Sequence, residues 1–91
     1  MKLNAHCIIW ADSTLCGGWS FAPEFDTMTL CTAVSIGQIY EETDDYIKIF
    51  LTSGLGGDIQ YAGKMIIPKE AVIGRWELGI PTEVFDYLPK E

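Results

Sequence analysis

The chain has 91 residues and a mass of 10.1 kDa, which leaves room for one domain around one small core and excludes a repeat array or a large catalytic scaffold. Hydrophobic residues make up 48% and charged residues 21%, a balance that sets the chain apart from disordered polypeptides. Six basic against 13 acidic residues give a net charge of −7. That charge excludes long nucleic acids, which are held by clusters of Lys and Arg, and it disfavours an anionic membrane surface.

The first residues lack the apolar stretch of a signal peptide, and no window approaches the roughly 18 apolar residues of a membrane span. A cytoplasmic protein is expected. Cys7, Cys16 and Cys31 are odd in number and have no paired spacing, so reduced thiols are expected instead of a disulfide framework.

In chain order, residues 3–10 read as a buried strand running into a turn at Asp12 and Ser13. Residues 12–27, with Gly17, Gly18 and Pro23, form a long irregular connection, and long ordered loops are often functional. Met28, Leu30, Val34 and Ile36 then fall on one side at period two, opposite Thr29, Cys31, Ala33 and Ser35, in a second strand running toward Tyr40. Gly37 marks a bulge or bend in it. An acidic turn over residues 41–45 leads to a third strand over 46–52, in which Ile47, Ile49 and Leu51 alternate with polar neighbours. Gly54, Gly56 and Gly57 suit the next turn, and a fourth strand follows over residues 59–67. Pro68 ends it, leaving one short helical turn before a fifth strand over 72–78.

Five short strands with a single tight turn before the last describe a mainly β fold, a small, partly open barrel of the SH3-like or Sm-like kind. Residues 1–78 would form it, and the proline-containing tail, residues 79–91, would pack across it in one or two helical turns. A core this small leaves stability marginal, so self-association would help.

Trp10-Ala11-Asp12-Ser13, Gly18-Trp19, Ser35-Ile36-Gly37, Tyr46-Ile47 and the run from Ile67-Pro68 to Val72 together resemble a set of small phage and prophage proteins. Those have an aromatic-x-Asp-Ser start, a Gly-Trp in the first loop and an Ile-Pro segment before the final strand. The resemblance spans residues 6–78. It implies a small barrel and an origin in a mobile element, and it brings no catalytic mechanism.

The residues themselves leave several roles open. Asp12 and Ser13 either cap a turn or face a ligand. Trp19 either plugs the open end of the barrel or stands ready as a stacking or interface anchor. Trp10 and Trp76 lie in strands and read as core. His6, the single histidine, lacks a recognisable nucleophile and orienting partner, and with Cys7, Cys16 and Cys31 it lacks the short spacings of a zinc site. The acids over 41–45 read as a solvated hairpin tip, and the glycine-rich turn has no phosphate-loop Lys.

No metal, no cofactor and no catalysis are therefore expected. The expectation is a non-catalytic accessory protein of phage type that acts by binding, as counter-defence against a bacterial host. It would occupy a host protein, or sequester a small nucleotide-like signal in a homo-oligomer. For the latter, Lys48, Lys64 and Arg75 are the cations within reach of one another. The alternatives are an interaction module of a phage assembly and, last, a small hydrolase.

Overall fold

A computed structural model describes residues 3–13, 19, 21–26 and 28–89. It is mainly β. Strands β1 (Ala5–Asp12), β2 (Cys31–Glu42), β3 (Tyr46–Phe50), β6 (Met65–Pro68) and β7 (Val72–Glu77) build one antiparallel sheet in the order β6-β3-β2-β1-β7. A second, two-stranded sheet pairs β4 (Thr52–Gly54) with β5 (Gln60–Ala62).

The third and fourth predicted strands are thus each divided in two. Their pairing is nevertheless one register: Ile49 faces Met65, and three residues further out Thr52 faces Ala62. The two halves form a single long hairpin, bent where Leu51 donates its N–H to the Ala62 carbonyl at 3.1 Å. Gly63 makes this bend possible. Its φ is +70°, and a Cβ there would lie 2.8 Å from Cβ of Leu51.

β1 alternates as a half-buried strand should, sending His6, Ile8 and Trp10 inward. Ile8 and Trp10 meet Ile47 and Ile49 of β3 and Ile67 of β6 in one cluster, so the sheet is strongly curved. Trp10 donates its Nε1–H to Ser35 Oγ at 3.0 Å, and Ser35 Oγ lies 3.4 Å from Met65 Sδ, tying β1, β2 and β6 across the concave side. The edges β6 and β7 are not paired with one another among the described residues, and the hydrogen-bonded sheet is not closed.

Packing decides the facing of β2, and two expectations need correction. The apolar side of β2 is its solvent side: Val34 and Ile36 are 63% and 56% exposed, and the smaller Ala33, Ser35 and Gly37 turn inward. The bulky core residues of β1 and β3 leave room only for small side chains there; a Cβ on Gly37 would lie 2.9 Å from the Phe50 carbonyl oxygen. Trp76 is not core. It projects from the convex side of β7 and is 56% exposed. The connection after β1 is also less irregular than its composition implies, since it contains a short helix, α1 (Ala22–Asp26), with Pro23 in the first turn, where no backbone N–H is required.

The turn before β7 is a 3-10 helix over Lys69–Ala71, as its proline-bounded length predicts. A second 3-10 helix spans Thr82–Tyr87 in the tail and buries none of its residues. Among the described residues, no helix is long and apolar enough to cross a membrane.

Candidate functional site

Beside the bend of the long hairpin lies a groove of about 410 Å³, lined by Tyr40, Lys48, Ile49, Phe50, Tyr61, Lys64, Met65 and Ile66. Tyr40 owes its position to a bulge: Ile39 pairs with Ile49 and Glu41 with Lys48, so Tyr40 is the extra residue of β2. A bulge increases local twist and re-aims a side chain. Phe50 ends β3, and Tyr61 comes from β5 beyond the bend.

The three rings pack edge to face. Tyr61 lies 4.7 Å from Phe50 and 5.1 Å from Tyr40 between centroids, with interplanar angles of 69° and 78°. This geometry sets the positive edge of one ring against the negative face of the next and fixes all three orientations. The groove wall is therefore aromatic.

Its charged groups are cationic. Lys48 Nζ lies 3.3 Å from Glu41 Oε1 and 5.2 Å from the centre of the Tyr46 ring. The Tyr46 hydroxyl donates to the same Glu41 oxygen at 2.7 Å. These bonds hold the Glu41 carboxyl below its usual range, first through Tyr46 and then through Lys48, and raise both partners. Lys64 has no ion-pair partner among the described residues. The ionisable groups of the lining are the Lys48 and Lys64 amines and the Tyr40 and Tyr61 phenols.

Of the residues singled out from the sequence, Lys48 and Lys64 meet in this groove and the others do not. Arg75 is committed elsewhere. Its guanidinium grips Glu42 with two bonds of 2.9 and 3.0 Å, and Lys69 Nζ approaches the same carboxylate at 2.9 Å. The Arg75 and Lys69 bonds depress the Glu42 carboxyl to about 2. Two of the acids expected to be solvated thus belong to β2 and are ion-paired.

At the far end of β1, the Ser13 N–H donates to Asp12 Oδ1 at 2.8 Å. Trp19 is fully exposed, so it plugs nothing. His6 is buried on the concave side with Nδ1 3.3 Å from the Asn4 carbonyl. Cys7 and Cys31 are free thiols, and no metal-holding group of His, Cys, Asp or Glu forms among the described residues. Cys16, Gly17 and Gly18 lie outside them.

Sequence reasoning missed Tyr40, Phe50 and Tyr61. Each stands near the end of a strand, and their meeting depends on the bulge and the bend. Compared with known proteins, the chain matches no family model, no curated protein and no solved structure.

Proposed function

We propose that the protein is a non-catalytic binding protein whose groove takes a small, planar, anionic ligand of nucleotide-like chemistry. The observation that carries this reading is the pairing of a wall of Tyr40, Phe50 and Tyr61 with Lys48 and Lys64 in one groove. An aromatic face stacks on a base, and the ammonium groups meet a phosphate. The volume falls in the range of small-ligand sites, about 300 to 1,000 Å³.

The scaffold reading is a partly open SH3-like or Sm-like barrel. The order β6-β3-β2-β1-β7, the curvature that brings β1 against β6, and the 3-10 turn before the last strand support it. With the resemblance to small phage proteins, the binding reading becomes an accessory role in an infected bacterial cell, in which a host signal is withdrawn by occupancy.

Calorimetric titration of the full chain with mononucleotides and cyclic dinucleotides tests the groove. At least one should bind, and Tyr61→Ala and Lys64→Ala should each weaken it by about 5- to 100-fold, the range for loss of one stacking or charge-assisted contact. Binding of none, or binding indifferent to both substitutions in folded variants, overturns the reading.

A further inference from the structure

The convex side of the sheet, opposite the core, has a composition unlike the rest of the chain. Strand pairing sets Trp76, Cys7 and Ile36 in one row across β7, β1 and β2, and Gly74, Ile9 and Val34 in the next. Ala5 and Gln38 flank these rows on one end, and Ala11 and Thr32 on the other. None of these positions is charged, in a protein of net charge −7. The bulky members stand out in solvent: Val34, Ile36 and Trp76 are each more than half exposed. Gly74 gives the Trp76 indole the space to lie along the face, since a Cβ there would sit 2.7 Å from Cη2.

We propose that this face is where a second copy of the chain docks, sheet against sheet. Area is the first argument. The chain exposes 7192 Å², whereas a compact monomer of its mass exposes about 5,300 Å². The surplus, about 1,900 Å², is spread over the whole elongated chain, and the bulky residues of this face, Val34, Ile36 and Trp76, are part of it. Charge is the second. A partner recognised through the acidic surface would meet complementary charge, and this face offers none; an uncharged apolar face matches the composition of homodimer interfaces. The contact is isologous, so each Ile36 row meets its own counterpart around a two-fold axis. None of these residues lines the groove, which adjoins the face where Gln38 pairs with Phe50.

Sedimentation velocity of the full chain from about 1 to 100 µM provides the test, because the dimer fraction must follow mass action. Wild type should dimerise, and added salt should favour the dimer by screening repulsion between two acidic copies. Val34→Glu and Ile36→Glu should each weaken association by at least about tenfold, the effect of burying an unpaired charge, and Tyr87→Glu in the tail should not. A wild type that stays monomeric, or a dimer indifferent to both face substitutions, overturns the proposal. Carbene footprinting needs no substitution at all: Ile36 and Trp76 should be protected at high concentration and labelled on dilution, and equal labelling at both also overturns it.

Discussion

Glu42 joins the end of β2 to the turn before β7 and to β7 itself. Its carboxyl titrates at about 2 in the fold against 4.5 in the unfolded chain. The proton therefore binds the unfolded state more readily, and the stabilisation is whole above pH 4.5 and disappears as pH falls toward 2. Glu42→Gln should lower stability near neutral pH by about 1 kcal/mol after screening, since the group is partly exposed. The gap between wild type and variant in urea melts should close as the pH is lowered. Ile67 sets the opposite extreme, being fully buried with no polar partner. Ile67→Ala should cost about 2 to 5 kcal/mol, enough to unfold much of so small a domain at room temperature, as far-UV circular dichroism would register.

At the scale of elements, the strands were legible because alternation and turn residues mark them: β1, β3 and β7 begin or end within two residues of their expected positions. The 3-10 turn followed from Pro68. The facing of β2 was not legible, because period two assigns residues to sides without saying which side is the core. Here volume decided, and Gly37 sits where the backbone of β3 approaches most closely. Gly37→Ala should push a methyl against the Phe50 carbonyl and cost about 1 to 3 kcal/mol in chemical denaturation. Of the site, its lysines could be named from scarcity of positive charge, whereas its aromatics could not. Tyr40 acquires its direction from a bulge, and Tyr61 reaches Phe50 only because the hairpin bends. Neither a bulge nor a bend leaves a mark in the spacing of residues.

For the whole molecule, the radius of gyration is 17.4 Å, against about 12 Å for a compact chain of this length. The longest dimension, 58 Å, is more than twice either of the others. Such a shape buries few side chains, and the core cluster is correspondingly small: Ile8, Trp10, Ile47, Ile49 and Ile67. If a second copy covers the convex face, folding and association are linked. The melting temperature should then rise by several degrees over a hundredfold increase in protein concentration, and Ile36→Glu should remove that dependence. Differential scanning calorimetry would read both.

The single register of the long hairpin ties the accuracy of the groove to the stability of the core. Ile47, Ile49 and Ile67 lock the inner half, and Ser53 facing Tyr61 in the outer half follows the same count. A one-residue slip of β6 against β3 would turn Ile67 toward water as it carried Tyr61 away from Phe50. The core thus acts as a proofreader for the groove: a slip of the whole strand that mispairs the site also takes Ile67 out of the hydrophobic cluster. An extra residue in the turn between β4 and β5 leaves that count intact, and one inserted at the bend destroys it.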